Sequence, residues 1–180
     1  VYGDNSVAIR TLGAVSGNVA LLGSVTARGM NTSAVSIGGA APEGVLAEAS
    51  APLSVSRPHE GWSEQSPADW ISAAEQVLQQ LAAHGLGKVR GIGLSGHMHG
   101  ATLLDHSDEV LRPCILWNDT RSHEEAAELD GDPLFRRVTG NIVFPGFTAP
   151  KLDWVRAHEP ALWDKVAKVL LPKDYLRLWL

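Results

Sequence analysis

Only one cysteine, Cys114, occurs in the 180 residues. That excludes an internal disulfide framework and any cysteine-rich zinc module, and a reducing compartment such as the cytoplasm is the expected setting. No stretch reaches the roughly eighteen apolar residues of a membrane span, and the first residues lack a basic segment followed by an unbroken apolar run, so neither insertion nor export is expected. Basic side chains are in the minority, fifteen against twenty acids for a net charge of -5. Without a basic surface to release counterions, nucleic acid is not an expected partner. There is no G-x-x-x-x-G-K-[ST] phosphate loop, and the serine-hydrolase elbow fails because the residues two before and two after Ser95 are Gly93 and His97. What is present is a chain 44% hydrophobic and 19% charged, enough apolar mass for a real core and a length of about one domain.

The chain divides by composition. Residues 1–44 hold eight glycines, no lysine and one aromatic residue, whereas all six tryptophans lie from Trp62 onward. The first part is expected to be a divergent Gly/Ala-rich segment, either poorly ordered or forming short strands such as 19–25. Residues 45–55 read as a strand ending at Arg57-Pro58, and a loop with Gly61 and Trp62 follows. Ser66, Pro67 and Asp69 are an N-cap, a first-turn proline and a first-turn acid; Trp70, Ala73, Ala74, Val77, Leu78 and Leu81 then repeat on one helical face up to Gly85. A helix is therefore expected there, with Trp70, Val77 and Leu81 buried. Val89, Ile92 and Leu94 suggest a buried strand, 101–111 a hairpin turning at 105–108, and 115–117 another short strand. An exposed helix is expected over 120–129, a further helix over 160–167, an extended piece over 168–171 and a last helix over 172–180.

The densest polar group is Gly96-His97-Met98-His99-Gly100, where a hydrophobic strand ends and glycines let the backbone approach a partner. Three readings stay open. Either His97 and His99, with His106 or His123, form a metal set; or both histidines simply pack at a turn; or His99 hydrogen-bonds a polar small molecule. Trp117-Asn118-Asp119-Thr120-Arg121 packs an aromatic, an amide, a carboxylate and a guanidinium into one strand end. Either Asp119 caps the following helix, or Asn118, Asp119 and Arg121 face a cleft suited to a polyhydroxylated ligand. Asn141 and 145–151 read as a loop marked by proline, glycine and aromatics, which either lines the same cleft or simply turns a corner. The tryptophans read mostly as core or helix-face residues rather than a stacking platform.

Long strings then point to a family. GLSGHMHGATLLD (93–105), LRPCILWNDTR (111–121), VTGNIVFPGFTAPKLDWV (138–155) and LLPKDYLRL (170–178) closely resemble, in order, the xylulose kinases of the FGGY carbohydrate kinase family. SVSRPHEGWSEQSPADW (54–70) resembles the segment just upstream, so the likeness covers roughly 45–180.

The resemblance implies an α/β chain with an actin-like, ribonuclease H-like domain, a twisted mixed sheet with helices packed on it, here incomplete. It also implies transfer of a phosphoryl group from ATP, with Mg2+, to D-xylulose, and a possible homodimer of the full-length enzyme. The Met-His pair of the family string contacts the ketose, so Met98 and His99 inherit that role, with Asn118, Asp119 and Arg121 beside them. The family's catalytic aspartate falls beyond Leu180, so the isolated chain is expected to be inactive. Thr32 and Ser33 match the phosphate-binding hairpin, but Gly29, Asn31 and Ser36 stand where the family has Asp, Gly and Lys. Asp4, in Gly3-Asp4-Asn5, resembles a displaced piece of the downstream catalytic string. The competing readings are a non-catalytic sugar-binding or interaction module and a metal hydrolase using His97 and His99.

Overall fold

The computed structural model describes residues 5–8, 20–28, 32–41, 44–83 and 91–180. Asp4, Gly29, Asn31, Gly85 and Val89 lie outside them. The chain resolves into two compact units, one made of residues 1–55, 68–96 and 176–180, the other of 56–67 and 97–175.

In the first unit, β1 (Asn5–Ala8), β2 (Ala20–Arg28), β3 (Thr32–Ala41) and β4 (Gly44–Ser54) form an antiparallel sheet in that order. The strand expected over 19–25 is thus the start of β2, and the one over 45–55 is β4. Alternate residues Ala49, Ala51 and Leu53 of β4 are buried, the period-two pattern of a strand with one covered face. Helix α1 (Pro67–Ala83) begins at the expected proline, and Trp70, Ala73, Ala74, Val77 and Leu81 are all buried. After it, β6 (Ile92–Gly93) joins β2 in parallel, Leu21 opposite Ile92. This strand was expected to be buried. Ile92 is instead exposed, because a two-residue strand that pairs with β2 alone among the described residues has little to cover it.

The second unit is built on short strands. β5 (Glu64–Gln65) pairs antiparallel with β8 (Cys114–Ile115), and β7 (Thr102–Leu104) with β9 (Lys168–Leu170). The expected strand at 115–117 is shifted towards Cys114, leaving Trp117 exposed at its end. The hairpin after β7 turns where the acid falls: Asp105 Oδ1 accepts from the Ser107 and Glu109 N–H groups at 2.8 and 3.0 Å, an aspartate standing in for a backbone acceptor. Its return arm is a single bridge, Leu104 to Val110.

Helices α2 (His123–Gly131), α3 (Pro133–Thr139), α4 (Thr148–His158), α5 (Pro160–Trp163) and α6 (Pro172–Trp179) follow. The helix expected over 160–167 is only the four residues of α5. α3 was not anticipated, although Asp132 accepts from the Leu134 N–H, Pro133 opens the helix and Gly140 closes it at φ 66°. α4 replaces what read as a loop over 145–151, because Pro150 lies in its first turn, where no helical N–H is lost. Ala101, Leu103, Ile115, Trp154 and Val155 make the core of this unit.

Candidate functional site

The polar residues singled out by sequence at 97–99 and 117–121 lie in the second unit, and they separate into residues that face inward and residues that face outward.

Asp119 and Arg121 face inward. The Asp119 carboxylate is fully buried and accepts from the Ser63 N–H at 2.6 Å, from the Arg121 N–H at 3.0 Å, and from Arg121 Nε and Nη2 at 2.9 and 2.7 Å. Arg121 Nη2 also meets Glu64 Oε1 at 2.7 Å, Arg112 Nη2 meets the same oxygen at 2.5 Å, and Arg112 Nη1 reaches Glu159 at 2.7 Å. The Arg121 guanidinium sits 3.6 Å from the Trp62 ring centroid and 5.0 Å from that of Trp154, so aromatic faces cover what carboxylates do not. The expectation that these two residues face a ligand cleft is corrected: their charged groups are committed to one another inside the fold. Nor does Asp119 cap α2, whose N-cap is Ser122.

Asn118, Trp117 and Met98 face outward, all exposed. Trp117 does not fit the expectation of a core or helix-face tryptophan. It is bound through its backbone: the Trp117 N–H donates to His97 Nε2 at 3.0 Å. That ties the 97–100 loop to the end of β8 and fixes Nε2 as the acceptor, so the neutral ring carries its proton on Nδ1. Burial, helped by the Lys151 and His99 charges, pushes His97 down to about 3. A ring spent on a backbone N–H has less to offer a metal, and among the described residues no group of three or more His, Cys, Asp and Glu is arranged to hold one.

His99 follows with φ 58°, a left-handed conformation that costs a non-glycine residue about 1 kcal/mol or more. Its ring lies 4.8 Å from that of Phe147, which packs edge-on to Phe144 at 5.6 Å. Burial first, and the Lys151 charge second, hold His99 below the ordinary histidine range. The imidazole is therefore neutral near pH 7, able to donate from one nitrogen and accept at the other. Its carbonyl oxygen accepts from Lys151 Nζ at 2.7 Å and from Thr148 Oγ1 at 3.3 Å, and Lys151 Nζ also donates to the Gly146 carbonyl at 2.7 Å. Lys151 itself is fully buried, and burial brings its amine down to about 8. Two glycines make this packing possible: a Cβ on Gly146 would run into the Trp117 carbonyl, and one on Gly100 would stand 2.7 Å from Pro172 Cγ.

Sequence reading places Lys151 at the end of the 145–151 segment, expected to line the cleft or turn a corner, and assigns the lysine no role of its own. Thr32 and Ser33 open β3, next to the β2 to β3 connection and opposite Ser54 and Leu53.

These features belong to a family. A model of the FGGY family of carbohydrate kinases, N-terminal domain, matches residues 38–180, and the chain belongs to that family. It is 55% identical over 136 residues to a xylulose kinase of Klebsiella pneumoniae and 52% identical to that of Escherichia coli strain K12, each match covering 74% of this chain and 28% of the relative. Among solved structures, one described as a xyloylose kinase from Brucella ovis is 54% identical with a TM-score of 0.78, covering 91% of this chain and 33% of that one. The xylulose kinase from Rhodospirillum rubrum follows at 34% identity and a TM-score of 0.76, over 83% of this chain and 32% of its own. The fold is the actin-like, ribonuclease H-like α/β architecture of these neighbours, and the chain spans about 28% of the length of the curated relatives it matches.

Proposed function

We propose that this chain supplies the sugar-holding part of a kinase that transfers the terminal phosphoryl group of ATP to D-xylulose, with residues 45–180 belonging to its first domain. The observation that supports this best is the 97–100 loop, whose backbone is pinned by His97, Lys151 and Thr148 while Met98 remains exposed at its crest. Phosphoryl transfer asks mainly for positioning and charge stabilisation, and a fixed loop bearing one soft apolar and one hydrogen-bonding side chain positions a ketose. In this reading Met98 packs on the carbon face of the sugar and the neutral His99 imidazole hydrogen-bonds a hydroxyl. Asn118 adds an exposed amide, and Asp119 and Arg121 act from behind by stiffening the segment that carries it.

ATP as phosphoryl donor follows from the family, with Thr32 and Ser33 assigned to its phosphates by resemblance. The described residues offer no acid cluster that fits Mg2+, and no step is assigned to the metal; nor is any residue of this chain assigned as the base that takes the hydroxyl proton. Cytoplasmic placement accords with the lone buried cysteine, and among the described residues no helix is long and apolar enough to cross a membrane.

The test is ATP-dependent phosphorylation by the complete protein, with D-xylulose set against D-ribulose, gluconate and glycerol. D-xylulose is expected to lead in kcat/KM by about tenfold or more, since a site built around particular hydroxyls rejects analogues that leave its polar groups unpaired. A preference for gluconate or glycerol overturns the assignment.

A further inference from the structure

Lys151 is a costly residue in its position. It has no solvent exposure, and its ammonium donates to two backbone carbonyls. A lysine that only filled space there would be improved on by methionine or leucine of similar size, because desolvating an ammonium is expensive. What it holds is more informative. Both acceptors belong to segments flanking the exposed crest of the site: His99, in its left-handed turn, and Gly146, whose backbone abuts the Trp117 carbonyl. Thr148, three residues earlier on α4, adds a weaker bond to the same His99 oxygen. Strain in the backbone of a proposed ligand contact persists only when its surroundings over-determine it.

We propose that Lys151 is a positioning residue for the sugar: by clamping the His99 and Gly146 carbonyls it fixes the left-handed turn that aims Met98 and His99. The proposal rests on the reading of this loop as the ketose contact. Released from the clamp, His99 returns to negative φ and the two side chains lose their fixed direction, while the antiparallel pair β7–β9 stays as it is.

The complete protein is tested as Lys151→Met, Lys151→Gln and Thr148→Val. In Lys151→Met the KM for D-xylulose is expected to rise about tenfold or more, with the KM for ATP changed by less than about twofold. Lys151→Gln, whose amide can still reach a carbonyl, is expected in between. Thr148→Val, which loses only the 3.3 Å bond and keeps the protein folded if Lys151→Met does not, is expected to raise the ketose KM about two- to threefold. Amide hydrogen exchange gives a readout free of turnover: residues 97–101 are expected to exchange about tenfold faster in Lys151→Met, with β7 and β9 unchanged. A lower melting temperature with unchanged ketose KM in all three variants makes Lys151 a purely structural residue and overturns the proposal, as does unchanged exchange at 97–101. If the wild-type protein phosphorylates no ketose, the functional reading falls, and the exchange comparison still decides whether Lys151 clamps the loop.

Discussion

Around Trp62, cations and anions are interleaved: Arg112 between Glu64 and Glu159, Arg121 between Glu64 and Asp119, with an indole ring under the last guanidinium. Around His99, a single ammonium faces two neutral carbonyls, beside two histidines whose rings burial first and its charge second keep uncharged. Both regions bury charge in the same unit, yet they use it differently. The first pairs each carboxylate with a guanidinium and lets its charge reach solvent only at the Glu159 rim. The second uses one buried charge to shape a backbone that carries exposed side chains. A polar motif in a sequence is therefore not evidence that its charges read a ligand, because the same residue types serve an internal brace.

The sharpest way to break this comparison is Asp119→Ala. Removing the carboxylate strands the Ser63 N–H and leaves the Arg121 guanidinium with only the shared Glu64 oxygen, so unfolding free energy is expected to fall by about 3–5 kcal/mol, read by urea denaturation. A loss below about 1 kcal/mol would show that the brace relaxes and that Asp119 is free for another role. Next is acid. His97 titrates near 6.5 unfolded and about 3 folded, so between those values the unfolded chain binds the extra proton. Stability that is complete above pH 6.5 is therefore lost progressively as pH falls towards 3, and urea midpoints across that range check it. His97→Asn, lacking the titrating ring, should flatten the curve relative to wild type.

Much of the architecture was legible before any coordinates. α1 was readable because Pro67 and a one-faced apolar pattern agree, and the turn at Asp105 because aspartate carries its own acceptor. α3 bears the same punctuation, Asp132-Pro133 and Gly140, and was passed over because its four-residue apolar spacing, Leu134 and Val138, stays exposed. α4 was hidden behind prolines that sit before or inside its first turn. The site was legible only as a set of outward candidates. That Glu64 would meet Arg121, fifty-seven positions away, is a product of the β5 to β8 pairing, and local spacing holds no trace of it. Lys151 was hidden for a different reason: lysine is almost never fully buried, so composition argues against the place it occupies.

Smaller effects sharpen the outward half. His99→Ala is expected to leave stability nearly intact and weaken ketose binding by a few-fold to about tenfold, the worth of one hydrogen bond to a neutral ligand, measured by titration calorimetry on the complete protein. Unchanged affinity there returns His99 to the packed-turn reading. Least of all is Glu159→Gln, at the wet end of the brace with a side chain 29% exposed. It should cost less than about 1 kcal/mol by the same denaturation measurement, and a larger loss would mean that the charged chain acts as one unit out to its rim.

Cys114 offers a clock. Its thiol has no solvent exposure in β8, and burial pushes its titration up to about 12, so the closed protein offers a reagent neither access nor thiolate. Alkylation must wait for the strand to part from β5. The ratio of the labelling rate to that of an unfolded peptide then reports how often this seam opens, and its dependence on urea distinguishes a local parting from global unfolding. With no other thiol in its 180 residues, this chain carries its own single-site stopwatch for breathing at the strand that leads to Trp117.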